Sequence, residues 1–266
     1  MIEEKTEMID TDSPIVEGTG FDRRLFGWLL LGATVGDIAV VPYQLGIAPE
    51  AAEQAGLSVS GFAAVTFLSG VLMAALGAAV GLLLGPRVGL GAPLLTSVIE
   101  GRTRRRVAMR ALLPAVGVGL ALAGTVVAFD LGLRSHLPQV STGDVGLMTR
   151  YAASVYGAVN EELLLRMGLL TAVVWGVTRL SGRQSPTRRV LWTATAASAL
   201  AFGLLHLPAL AVVADLTPLV VARTVGFNVL LGSAFGWLYW SRGLLAAMAS
   251  HFAADLVIQT AAWLVA

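Results

Sequence analysis

The sequence predicts an all-α protein, a polytopic transmembrane helical bundle of seven or eight membrane spans. Three observations predict it. Of 266 residues, 56% are hydrophobic and 13% charged, about half the charged share of a soluble domain; mean hydropathy is +0.77. Apolar runs of about 17 residues or longer recur, each able to cross a bilayer as a helix. Finally, arginine alternates from loop to loop, as it does when successive loops lie on opposite membrane faces. A soluble core is the poorer solution, because several separate runs would each need burial on all sides.

The elements follow in order. Residues 1–20 are polar and acidic, lack a secretory signal's basic start and cleavage site, and are expected to form a disordered tail. Residues 21–266 then form a single membrane domain. Arg23 and Arg24 read as a positive anchor before the first span, about Leu25 to Gln44. The second span runs from Phe62 to Leu84 and the third from Val107 to Phe129. The fourth, Gly146 to Val177, contains the stretch YGAVNEELLLRMGLL. The fifth runs from Val190 to Leu207. Pro208 to Val221 is short and reads as a tilted or re-entrant helix. Thr224 to Trp240 and Gly243 to Val265 complete the set.

Between spans, the segment from Leu45 to Gly61 has acids and no cation. The one carrying Arg102, Arg104, Arg105, Arg106 and Arg110 is strongly basic. The next is nearly neutral, and the next holds Arg179, Arg183, Arg188 and Arg189. The positive-inside rule places the N-terminus and both Arg-rich loops in the cytoplasm. The chain is expected to be an integral protein of a prokaryotic cytoplasmic membrane, with the lipid bilayer as its surroundings. A net charge of +1 points to no nucleic-acid partner. With no cysteine there is no disulfide framework, thiolate nucleophile or cysteine zinc site.

An acid or arginine at mid-bilayer costs roughly 2.5–3.5 kcal/mol. Glu161, Glu162, Arg166 and Asp255 together cost about 10 kcal/mol if unpaired, so partners or a wet cavity are expected. Glu162 and Arg166, four apart, share a helix face and are expected to form a structural ion pair. Glu161 lies about 100° round the helix from Glu162 and about 140° from Arg166. It is the carboxylate left over, suited to act as a general base. The other reading is one static network of all three groups. Phe202 and His206 also share a face, as do His251 and Asp255. An Asp one turn from a His can accept its ring N–H and fix the tautomer. Counted from the basic ends, Glu161 and His206 reach similar depth. His251 matches that depth best if the last span begins on the outer side, which needs Pro208–Val221 to cross.

The order E-E-x-x-x-R, F-x-x-x-H, H-x-x-x-[N/D], here Glu161-Glu162-x-x-x-Arg166, Phe202-x-x-x-His206 and His251-x-x-x-Asp255, resembles the CPBP family. These are the CAAX proteases and bacteriocin-processing enzymes, which include the type II CAAX prenyl endopeptidase. The resemblance covers about Met148 to Val257 and implies a catalytic core at about 146–266. It implies an intramembrane endopeptidase, described for the family as a metalloprotease, acting on a hydrophobic or membrane-associated peptide. Catalytic residues on this resemblance are Glu161, Glu162, His206, His251 and Asp255, with Glu161 activating water. The metal reading implies a divalent ion, zinc above others, on His206 and His251 with Asp255 or Glu161 as third ligand. A metal-free reading has Glu161 and His206 activating water and His251 donating to the oxyanion. The zincin motif H-E-x-x-H is absent. Asp255 stands where the family also has Asn. An ionised Asp cannot donate a hydrogen bond, so it is expected to orient His251 or bind metal. Two other readings are a non-catalytic scaffold or bacteriocin-immunity protein, and a proton-coupled transporter.

Overall fold

In the computed structural model, residues 21–47, 51–137 and 145–265 are described; the acidic tail, residues 1–20, lies outside them. Every regular element among the described residues is helical. Hydrocarbon offers the backbone no hydrogen bonds, so each spanning segment satisfies its own amides as a helix. Among the described residues, seven helices are long and apolar enough to cross a membrane. They are α1 (Arg23–Ile47), α2 (Val59–Leu84), α3 (Arg105–Leu133), α4 (Leu147–Leu180), α5 (Arg188–Leu205), α6 (Pro218–Arg242) and α7 (Leu244–Val265).

Polar caps mark where several of these helices begin. The Asp22 carboxylate accepts from the Leu25 amide at 2.9 Å. Ser58 accepts from Gly61, Thr187 from Val190 and Thr217 from Val220. Each cap satisfies an amide that the first helical turn leaves open. Pro218 follows Thr217 at the first helical position of α6, where its missing N–H costs nothing. Gly243, with φ +88°, makes the sharp turn from α6 to α7.

That turn decides the span count. Residues 208–221 do not cross as a separate helix. Leu207–Ala211 forms a short helix, and α6 already begins at Pro218. The bundle therefore has seven candidate spans, the lower of the two expected numbers. α6 and α7 are antiparallel neighbours joined at Gly243, so α7 does not begin at the end of the bundle that the depth argument required. Chain lengths counted from helix ends compare depth only if the helices start level, and these do not.

Packing places α4 at the centre, against α1, α2, α5 and α7; α3 packs on α7 and α6 on α5. The buried positions of α2 are Gly70, Ala74, Gly77, Ala78 and Gly81, every one glycine or alanine. Lipid tails supply little hydrophobic drive between helices, so small residues that let backbones touch take its place. Gly77 and Gly168 do so: a β-carbon on Gly168 would lie 2.8 Å from the Gly77 Cα. On the outer faces, Trp28, Leu31, Val35 and Ile38 of α1 and Leu68, Leu72 and Leu76 of α2 are exposed. These side chains face the position of lipid.

Candidate active site

The motif in α4 does not sit on a regular α-helix. Gly157–Glu161 and Leu163–Leu170 form π-helical turns. At their end the Thr171 amide donates to the Arg166 carbonyl, five residues back. Such expansions are rare and are frequently found at functional sites. Wider turns bring residues five apart nearer to one face. Glu161 therefore stands closer to the side of Arg166 than an ideal α-helix predicts, and Arg166 interacts electrostatically with both glutamates.

Glu162 and Arg166 pair as expected. Arg166 Nη1 lies 3.1 Å from Glu162 Oε1, with both side chains wholly buried. The contact is a charge approach rather than an aligned hydrogen bond, since Nη1 has no hydrogen-bond acceptor. Arg166 also donates from Nη2 to the Gly232 carbonyl at 3.3 Å. Its guanidinium lies over Phe202, 4.7 Å from the ring centre, and over Phe235 at 5.4 Å. Both contacts are cation–π in geometry. The pair thus ties α4 to α5 and α6.

His251 is where the structure departs from the sequence expectation. Its Nδ1 lies 2.8 Å from Glu162 Oε1. A carboxylate accepts, so Nδ1 carries the proton. The expected orienting partner, Asp255, is 3.7 Å from the other nitrogen, Nε2, too far for a direct hydrogen bond. Glu162, not Asp255, orients the ring. Asp255 follows His251 by one turn of its own helix and reaches only the Nε2 edge, whereas Glu162 enters from the facing helix α4. Phe235 stacks on the imidazole at 4.5 Å and Phe202 packs edge-on at 5.6 Å.

Nε2 of His251 faces a small meeting point. Glu161 Oε2 also lies 3.7 Å from it. A β-carbon at Gly157 would come within 2.7 Å of Asp255 Oδ2, 3.3 Å of His251 Nε2 and 3.6 Å of Glu161 Oε2. Gly157 therefore leaves open the space on which these three side chains converge. Separations of 3.7 Å are too long for direct bonds and of a kind that water bridges. Glu161 and Asp255 keep about a quarter of their side-chain surface accessible (23% and 24%), whereas Glu162 keeps none. Of the twin glutamates, Glu161 is the reachable one.

His206 closes the last turn of α5. Its Nδ1 lies 2.8 Å from the Phe202 carbonyl; a carbonyl only accepts, so Nδ1 is the donor. In the neutral ring Nε2 is then left as an acceptor. Phe202 packs edge-on against this ring too, at 4.8 Å, confirming the shared face. Asp255 lies within electrostatic reach of His206.

The ligand set expected for a divalent metal does not assemble. His206, His251, Asp255 and Glu161 lie in one region, yet among the described residues no three His, Asp or Glu side chains are grouped to hold a metal ion. Nδ1 of His251 is engaged by Glu162 and Nδ1 of His206 by its own helix, so Nε2 is the ring nitrogen that each histidine turns to other partners. Phe202 packs edge-on against both imidazoles.

Two polar residues were not singled out in the sequence. Asp37 of α1 is buried, 1% exposed, and Asn160 of α4 is 3% exposed. Asn160 Nδ2 donates to Asp37 Oδ2 at 2.7 Å and to the Ala33 carbonyl at 3.1 Å. The signal was present, since an acid inside an apolar run is costly wherever it falls. Asp37 stands alone in its span, and nothing local pairs it with Asn160.

Seven apolar helices enclosing this cluster of carboxylates, imidazoles and a guanidinium define an integral membrane protein with a buried polar site. Residues 144–257 match the family model described as type II CAAX prenyl endopeptidase Rce1-like. The matched segment contains all three motifs and agrees with the resemblance drawn from them. No curated protein and no solved structure matches the chain.

Proposed function

We propose that this protein is an intramembrane endopeptidase that hydrolyses a peptide bond of a hydrophobic or membrane-associated substrate with water activated by Glu161. The observation that carries the reading is the convergence of Glu161, His251 and Asp255 over Gly157. It lies near the middle of the span Leu147–Leu180, inside the segment matched by a protease family. Glu161 takes a proton from water as the oxygen attacks the scissile carbonyl, with His206 Nε2 as a second acceptor for that water. His251, protonated, keeps Nδ1–H on Glu162 and offers Nε2–H to the developing oxyanion. The proton held by Glu161 then passes to the leaving amine as the C–N bond breaks. Glu162 and Arg166 hold the imidazole in place.

The chain lies in the cytoplasmic membrane of a prokaryote with its N-terminus inside. The Arg102–Arg110 and Arg179–Arg189 loops support this orientation. The bilayer supplies both the substrate's surroundings and the apolar walls of the site.

The test is cleavage of a fluorogenic hydrophobic peptide, prenylated or not, by purified protein in liposomes. Wild-type protein is expected to cleave, Glu161→Ala to fold and not cleave, and a strong chelator to leave the rate unchanged. Cleavage by Glu161→Ala would overturn the role of that carboxylate. Loss of activity on chelation, restored by zinc, would overturn the metal-free chemistry.

A further inference from the structure

Among the described residues, the most buried acid outside the three motifs is Asp37, and it makes its contact with the residue just before Glu161. Asn160 uses one amide nitrogen for two bonds to α1, to the Asp37 carboxylate and to the Ala33 carbonyl. The fit is close on every side. Asp37 Oδ1 lies against Gly70 of α2, and Asn160 Oδ1 against Gly36 of α1; a β-carbon at either glycine would overlap the oxygen. Three helices therefore shape one slot for these two side chains. Leu25, Leu29, Ala33, Asp37 and Val40 form the buried stripe of α1. Asp37 thus occupies a position that an alanine or leucine would fill at far lower cost in a bilayer.

This slot holds the residue next to Glu161 on α4. Gly157–Glu161 is π-helical, and such turns break the regular bonding ladder that fixes side-chain direction in an α-helix. Glu162 is fixed from the other side, by Arg166 and His251. Asn160 is fixed by α1. Glu161 lies between these two anchors, 3.7 Å from His251 Nε2 and too far for a direct hydrogen bond to it, so its direction follows from them. Asp37 lies on α1, outside residues 144–257.

We propose that Asp37 and Asn160 form a positioning pair that sets the direction of the Glu161 carboxylate. The proposal rests on the reading of Glu161 as the water-activating group, and its test has one arm that does not need proteolysis. In the cleavage assay, Asp37→Ala and Asn160→Leu are expected to lower kcat about 10- to 100-fold with KM within about twofold. Asp37→Asn keeps an acceptor for Asn160 and is expected to restore kcat to within about threefold of wild type. The second arm uses the absence of native cysteine. A Glu161→Cys protein is labelled with a membrane-permeant maleimide alone and in three further backgrounds. Its labelling rate is expected to change at least about fivefold with Asp37→Ala or Asn160→Leu and to stay unchanged with Asp37→Asn. A purely structural pair would lower thermal stability yet leave both kcat per folded molecule and the labelling rate unchanged. That result overturns the proposal, as does loss of kcat in Asp37→Asn equal to that in Asp37→Ala. If wild-type protein cleaves nothing, the protease reading fails and the labelling arm still decides this one. If Asp37→Ala does not fold, Asn160→Leu decides it.

Discussion

His251 Nδ1 lies 2.8 Å from Glu162 Oε1, and the same oxygen lies 3.1 Å from Arg166 Nη1. One carboxylate oxygen therefore serves two partners, one structural and one in the candidate site. The twin glutamates divide accordingly: Glu162 holds the frame, and Glu161 faces the open space beside it.

Removing one member of the buried pair strands the other. Glu162→Ala and Arg166→Ala should each lose about 3–5 kcal/mol, read as a large fall in thermal stability in detergent. Replacing both at once, Glu162→Leu with Arg166→Met, should recover much of that stability. It should not recover activity, because His251 has then lost its anchor. A double variant as unstable as the single ones would count against this pairing.

The tautomer of His251 should depend on Glu162 and not on Asp255. Nitrogen NMR on histidine-labelled protein should show a protonated Nδ1 in wild type and in Asp255→Asn. In Glu162→Leu that signature should be lost. The opposite pattern would return the orienting role to Asp255.

Gly157 offers a test by addition. Alanine in place of glycine within a helix normally stabilises it by about 0.8–1.0 kcal/mol. Here the new methyl would press on Asp255 Oδ2 and His251 Nε2. Gly157→Ala should lower kcat by about tenfold or more with little loss of thermal stability. Unchanged turnover would mean that the space over Gly157 is not where substrate or water sits.

The contact between α2 and α4 should tolerate no bulk. Gly77→Val would drive a branched side chain into the Leu163 and Leu164 backbone. Overpacking of this kind costs about 1–3 kcal/mol, and lower yields of folded protein together with reduced thermal stability should report it.

Much of this was legible in the sequence because membrane spans are local objects. The spans could be counted from apolar length, since a helix satisfies its own backbone and needs no distant partner. The pairing of Glu162 with Arg166, and of Phe202 with His206, was legible for the same reason: residues four apart share a face in any helix. The motif order led to the family relationship over residues 144–257.

Tertiary structure alone decided the remainder. Asp255 is one turn from His251 in sequence, yet Glu162, 89 residues away along the chain, holds the ring. Asp37 finds Asn160 across a helix boundary, 123 residues on. The expected metal ligands share a region without sharing a point. The sequence by itself determined the all-helical membrane-spanning character, to within one span, and the spacing of the three motifs, because hydropathy and spacing act within a segment. Which carboxylate turns to which nitrogen depends on how far each helix slides and rotates against its neighbours. That is fixed by glycine contacts such as Gly77 on Gly168 and by the π-helical turns of α4, and neither is a local property of the chain.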